Sequence, residues 1–301
     1  MKRRLATLTV IAVAGSILVS ILAVSFLAKP EVRELGFHTP VNLSESKTNA
    51  FEQKIAAVDS DVYVVWREAR RVALDDVSLS YYDIIFRASN DGGKSFGAKI
   101  NLSNGTQSEE SPLVAAAGNQ VYLTWKAVDP VERTYPLFFR ASDDHGKTFG
   151  DIIRITATGE SAAGFDVAAA SDTVIIAYES YIDDVVYKLR ASHDNGVSFA
   201  QPIDYYQPRC AGAGIDVETS VDGNHVYLTA GDSCAPEGGD EILFRKSDDG
   251  GVSLGSVKRI DLGNYQQLEA VGKEKLFLSW RNLQGNVMLA ASVDGGTTFN
   301  S

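Results

Sequence analysis

The chain has 301 residues, 45% hydrophobic and 22% charged, so it is long enough to bury a sizeable core and is not a disordered polymer. Its formal charge is −11, and without Lys2, Arg3 and Arg4 the remaining 25 basic and 39 acidic residues leave −14, which repels a phosphate backbone and argues against a nucleic-acid partner. Two cysteines make at most one bridge, which excludes a disulfide scaffold or a four-thiolate metal centre.

Lys2, Arg3 and Arg4 precede an uncharged run of 24 residues, Leu5 to Ala28. As a helix this run spans about 36 Å against a bilayer core of about 30 Å. The basic flank orients its N-terminus inward. Residues 1–30 are therefore expected to be a signal anchor or transmembrane segment, with the rest of the chain on the extracytoplasmic side. The small residues Ala23-Val24-Ser25 leave a second reading open, a cleaved signal peptide and a secreted product. Either way the chain is exported, which permits a disulfide. Sequons stand at Asn42-Leu43-Ser44, Asn101-Leu102-Ser103 and Asn104-Gly105-Thr106, each either a glycan acceptor or the polar end of a strand.

From residue 36 to 301 one unit recurs. Its first copy runs through Ile55-Ala56-Ala57, Val62–Trp66 and Ile84–Ala88 to the turn Ser89-Asn90-Asp91-Gly92-Gly93-Lys94-Ser95-Phe96 and the short strand Lys99–Leu102. The second has Val114-Ala115-Ala116, Val121–Trp125 and Leu137–Ala141 before Ser142–Phe149. The third places Val174–Tyr178 and Val186–Ala191 before Ser192–Phe199, and the fourth Val226–Ala230 and Ile242–Arg245 before Ser247–Leu254. In the fifth, Leu276–Trp280 and Val287–Ala290 precede Ser292–Phe299. The initial serines of the turns are 53, 50, 55 and 45 residues apart, a period of propeller blades, and no helical periodicity competes with the β-branched and aromatic strands. The expected fold is all-β, a propeller of four-stranded antiparallel blades. Phe37–Ser44 lines up with Phe96–Ser103, so an N-terminal strand is expected to complete blade five and close a five-bladed ring. A piece of a six-bladed ring is the alternative.

The turn Ser-x-Asp-x-Gly-x-Ser/Thr-Phe resembles the Asp box, or BNR repeat, of sialidases and related propellers. Physically it is a hairpin device. Asp91, Asp144, Asp194, Asp249 and Asp294 are expected to accept backbone amides in their own turns, the glycines to take positive φ, and the aromatic to tuck between strands. The resemblance implies an active site at the opposite end of the blades, where an arginine triad clamps a carboxylate and a Tyr–Glu pair and an Asp do the chemistry. His145, His193 and His225 fall at the turn end and His38 begins a strand, so neither a Ser-His-Asp triad nor a His-ligated metal is expected, and no cofactor is assigned.

Candidate ligand-binding residues at that end are Arg67, Lys126, Glu179 and Arg281, equivalent positions after the second strand of four blades, with Arg209 in a connection. In a closed ring Arg67 and Arg281 converge on one anion. Arg70 and Arg71 follow Arg67. Weaker catalytic candidates are Asp166, Asp216, Tyr265 and Glu269. The arginine phrase typical of sialidases near the first blade has no match here, and the catalytic set is not traceable. Cys210 and Cys234 are expected to form a disulfide pinning two loops. The expected function is a membrane-anchored, extracytoplasmic, sialidase-like propeller binding a glycan, protein or surface polymer. An exo-sialidase-type glycosidase is the alternative, and an anionic glycan or cell-surface polymer is the expected partner.

Overall fold

A computed structural model describes residues 39–74, 77–103, 108–182, 184–210, 214–234 and 240–300. The expected anchor at 1–30, the sequon at Asn104, and Phe37 and His38 of the expected closing strand lie outside them. Among the described residues no helix is long and apolar enough to cross a membrane.

Every named element is a strand, and every pairing is antiparallel. Blade one is β1 (Ala50–Val58), β2 (Asp61–Leu74), β3 (Val77–Ser89) and β4 (Ile100–Asn101), in that spatial order. Blade two follows as β5 (Ser108–Ala117), β6 (Gln120–Val128), β7 (Leu137–Ser142) and β8 (Ile153–Arg154), and blade three as β9 (Ser161–Ala170), β10 (Thr173–Tyr181), β11 (Val185–Ser192) and β12 (Ile203–Tyr206). The last six strands form one sheet: β13 (Ile215–Thr219), β14 (Val226–Asp232), β15 (Glu241–Ser247), β16 (Lys258–Val271), β17 (Lys275–Asn282) and β18 (Val287–Ser292). β16 serves twice. Lys258–Leu262 is the fourth strand of blade four, and Gly263–Val271 the first of blade five.

The core lies between blades. Tyr63, Val65, Ile84 and Phe86 of blade one pack with Val121, Leu123 and Trp125 of blade two, and the next joints repeat this. Alternation along each strand sends successive side chains to the two neighbouring blades, so central strands such as β6 and β10 are buried on both faces. The inner strands β1, β5, β9, β13 and β16 pack in succession.

The repeated turn is both a hairpin and a joint. Asp144 accepts the Lys147 and Thr148 amides at 2.9 Å and the Thr148 hydroxyl at 2.7 Å. Asp91, Asp194, Asp249 and Asp294 do the same in their turns. The aromatic goes elsewhere than into its own blade. Phe149 stands edge-on to Phe86 of the preceding blade at 5.1 Å, Phe199 to Phe139 at 4.9 Å, and Phe299 to Phe244 at 5.0 Å. Gly146, at φ 75, lies so close to Phe86 that a methyl group there would sit 2.7 Å from the ring. An arginine adds a polar tie: Arg140 donates to the Leu102 carbonyl, Arg190 to that of Ile155, and Arg245 to that of Tyr205.

Arg87 makes the same bond, to the carbonyl of Leu43 at 2.8 Å. Leu43 thus stands beside blade one where the end of a fourth strand stands beside blades two, three and four. The expected closure is nevertheless not formed: residues 39–44 make no strand, and β18 has no fourth strand among the described residues, only the bridge Ala291–Asn300. β16 and β1 do not pack as the other inner strands do. Leu289 and Val287 are 61% and 83% exposed, whereas their counterparts Phe86 and Ile84 are 0% and 1%. Among the described residues no strand pairing joins blades five and one.

Candidate functional site

The end opposite the repeated turns is shaped by bulges. The inner strand shifts register between Phe51 and Lys54 in blade one, Glu110 and Leu113 in blade two, and Asn264 and Gln267 in blade five. Each bulge holds one residue at positive φ: Glu52 (55°), Ser111 (53°) and Tyr265 (56°). Bulges of this kind re-aim side chains at the rim of a sheet. Here the Glu52 carboxylate crosses to the next blade and accepts the Ser111 amide at 2.8 Å.

Arg67 is committed within blade one. Its guanidinium pairs with Glu52 at 3.1 Å and lies over the Tyr82 ring at 4.7 Å and the Phe51 ring at 5.5 Å. Its Nε is buried and makes no hydrogen bond. Arg281 is exposed on β17, and the structure gives it no partner in common with Arg67. Their expected convergence requires blades one and five to adjoin, and among the described residues no strand pairing joins those blades. Lys126 donates to the Ala163 carbonyl at 3.1 Å and faces Glu110 at 3.5 Å. Glu179 is buried and accepts the Tyr181 hydroxyl at 3.0 Å. Arg70 forks onto Asp83 at 3.1 and 3.2 Å and lies over Tyr81. Arg71 is exposed.

Asp166 and Asp216 occupy equivalent inner-strand positions. Asp166 accepts the Val217 amide of blade four at 3.0 Å, and Asp216 the Leu268 amide of blade five at 2.7 Å, so each carboxylate ties its inner strand to the next. Burial, together with a hydrogen bond and charge from Asp166, pushes the Asp216 carboxyl far above the usual range. Glu218, two residues on and on the same strand face, is pushed up to about 8 by burial and by the charges of Glu269 and Asp166. Glu269 is exposed, and so is Tyr265, at 75%. Among the described residues no hydrogen bond joins those two.

Arg209 and the cysteines build a clamp. Arg209 pairs with Asp232 and Glu241 at 3.1 Å each. Asp232, fully buried, also accepts the Tyr206 hydroxyl and the Cys210 and Cys234 amides. Cys210 and Cys234 are disulfide-bonded, with their Cα atoms 5.3 Å apart.

Several residues of this end had no marker of their own in the sequence. Glu109 is 3% exposed, and one of its carboxyl oxygens has no hydrogen-bond partner. Burial pushes it up to about 8, with the Asp83 charge adding to the effect and the Trp125 indole opposing it. Glu52, Tyr82 and Asp83 gain their roles only through cross-strand contact. Glu218 was the most accessible to sequence reasoning, because period-two alternation from Asp216 already put it on the same face. Among the described residues no group of three His, Cys, Asp or Glu side chains is placed to hold a metal. His145 instead bonds Asp61 of the preceding blade at 2.6 Å, His193 the Gly250 carbonyl, and His225 Asp248.

No protein-family model matches the sequence, and no curated protein matches it. Solved structures do. The intramolecular trans-sialidase of Ruminococcus gnavus, solved with oseltamivir carboxylate, is 12% identical, with 81% of this chain and 80% of that one covered at a TM-score of 0.52. A protein of unknown function from Dyadobacter fermentans is 14% identical over 84% of this chain and 80% of its own, at 0.53. A PL25 ulvan lyase, solved bound to a glucuronate–sulfated rhamnose oligosaccharide, is 11% identical over 81% of this chain and 64% of its own, at 0.52. The chain has the fold of the sialidase-like β-propellers.

Proposed function

We propose that the chain is a membrane-anchored, extracytoplasmic, sialidase-like propeller that binds an anionic glycan or cell-surface polymer and does not hydrolyse it. The observation that carries this reading is the group of Phe51, Arg67 and Tyr82 at the bulged end of blade one. A guanidinium held over two rings beside Glu52 and 22% exposed supports a sugar ring that bears a carboxylate or sulfate. The exposed part of Phe51 takes the sugar's C–H face, and the exposed part of the guanidinium takes the anion. The names of the trans-sialidase and the ulvan lyase connect this fold with glycans in other proteins. Against hydrolysis, the inner-strand carboxylates Asp166 and Asp216 are occupied by backbone amides, and Tyr265 has no activating partner.

Titration of the full-length chain with sialyllactose and with glucuronate oligosaccharides, beside a fluorogenic sialoside assay, tests this. Saturable binding without turnover is expected, with Arg67→Ala weakening it about tenfold, a loss of about 1.4 kcal/mol. Turnover that Arg67→Ala abolishes would establish the exo-sialidase alternative instead.

A further inference from the structure

One residue of the blade-two turn departs from its counterparts. His145 takes φ 61°, a left-handed conformation that the other turns give to Gly92, Gly250 and Gly295 and, in blade three, to Asn195. Outside glycine this backbone carries a cost. A contact across the joint fixes the ring: Nδ1 lies 2.6 Å from Asp61 of β2, and Asp61, 9% exposed, also accepts the Asn90 amide and the Tyr63 hydroxyl. The Asn90 bond, with those of His145 and Tyr63, holds the Asp61 carboxyl below its ordinary range. An ionised carboxylate only accepts, so Nδ1 carries the proton and donates it. Nε2 has no hydrogen-bond partner among the described residues, and the side chain is 44% exposed.

His145 borders a cavity of about 590 Å³ between blades one and two, together with Asn90, Ala88, Ala98, Ile100 and Lys147. Small-molecule sites occupy roughly 300–1,000 Å³. Asp91 also borders the space, but its carboxylate is saturated by the Lys94 and Ser95 amides and the Ser89 and Ser95 hydroxyls. The joint of blades two and three repeats the cavity at about 600 Å³ with its side chains exchanged: Asn195 for His145, Val197 for Lys147, Asp143 for Asn90 and Asp151 for Ala98. One space therefore carries an imidazole and an ammonium group. Its twin carries carboxylates, and no Lys, Arg or His borders it.

We propose that the cavity between blades one and two binds a phosphate or sulfate ester of a small sugar, held by the His145 imidazolium and the Lys147 ammonium group. Both are single-point donors, which suit a tetrahedral oxyanion; a planar carboxylate is matched by the fork of an arginine, and no arginine borders this cavity. Ala88, Ala98 and Ile100 supply the wall for the carbon body of the ester. Asp143 and Asp151 repel the same ligand from the twin. The site lies at the turn end, and it is independent of the glycan reading at Arg67.

The test is calorimetric titration of the full-length Arg67→Ala chain, which removes the contribution of the other end, with glucose 6-sulfate and with glucose 6-phosphate. Saturable binding is expected, and the tighter of the two identifies the ester. His145→Asn and Lys147→Val, each added to that chain, import the residues of blade three, whose turn accommodates Asn195 at φ 59°. Each should weaken binding about tenfold. The other charged groups of the surrounding turns are Asp59, Asp61, Asp91, Lys94, Asp143, Asp144 and Lys147, types that do not ordinarily titrate between pH 6 and 8. The sulfate ester keeps its charge over that range, so its affinity should fall from pH 6 to pH 8 with His145 present and stay level in the His145→Asn chain. Absence of saturable binding, undiminished affinity in either variant, or a pH profile that His145→Asn leaves unchanged would overturn the proposal.

Discussion

Replacing Glu109 by glutamine isolates the charge of one buried carboxyl while keeping its shape. Glu109 is 3% exposed at the start of β5, close enough to Asp83 to feel its charge, and it is pushed up to about 8 chiefly by burial. The folded chain therefore keeps a proton that the unfolded chain releases above the ordinary value of 4.5. Stability from this group is complete below that value and declines as pH rises toward about 8. One retained proton changes the unfolding free energy by about 1.4 kcal/mol per pH unit. Between pH 6 and 8 the wild type should accordingly lose about 2 kcal/mol that the Glu109→Gln chain does not. Asp216 and Glu218 titrate in the same direction in both chains, so the difference between the two curves is the informative quantity. Urea unfolding at pH 6, 7 and 8 measures it. The gap between the two chains, closed below the ordinary value of 4.5, should widen by about 2 kcal/mol from pH 6 to pH 8. Parallel curves would show that Glu109 is ionised at neutral pH, and the argument from burial would be wrong.

Gly196→Ala should destabilise the chain by about 2–4 kcal/mol, because alanine at φ 78 is strained and its methyl group would lie 2.7 Å from Phe139. Gly92→Ala, at φ 75 but with open space, should lose only the backbone part, and denaturant midpoints separate the two. Cys210→Ser with Cys234→Ser opens a separation of 24 residues and should lower stability by about 3 kcal/mol in the loop-entropy description, read by thermal unfolding with and without reductant. On the acid side, the Asp144 carboxyl is held at about 2 by the Thr148 amide and hydroxyl, then by Ser142, so its contribution is present at neutral pH and lost as pH falls from 3.8 toward 2. Asp144→Asn should flatten that acid limb in a pH titration of stability, and an unchanged limb would exclude the turn as its source.

The blades were legible because they are local. Val62–Trp66, Val121–Trp125 and their counterparts declare strands by β-branched and aromatic content, and a turn that repeats at near-constant spacing declares where each sheet reverses. The clamp loops were half legible. Cys210 and Cys234 pointed to each other as the only cysteines, whereas Asp232, the buried acceptor that organises both loops, had no mark beyond its place after β14. The candidate site was the least legible part. Arg67 and Arg281 were recognised as equivalent positions, but equivalence along the chain is not proximity. The partners Arg67 does have, Glu52 and Tyr82, come from a bulge and from the far strand of the hairpin.

What the sequence determined by itself was the period, the strand content, the geometry of each repeated turn and the excess of negative charge. All of these depend on residues within one unit, where backbone hydrogen bonding and side-chain alternation act over short distances. What only the tertiary structure decided was which side chains meet across units. There the turn aromatic proved to pack against the preceding blade, Asp166 and Asp216 became ties between inner strands, and no pairing joined blades five and one among the described residues. Those outcomes depend on how two apolar sheet faces pack, and packing between distant segments leaves no mark in the residues of either one alone.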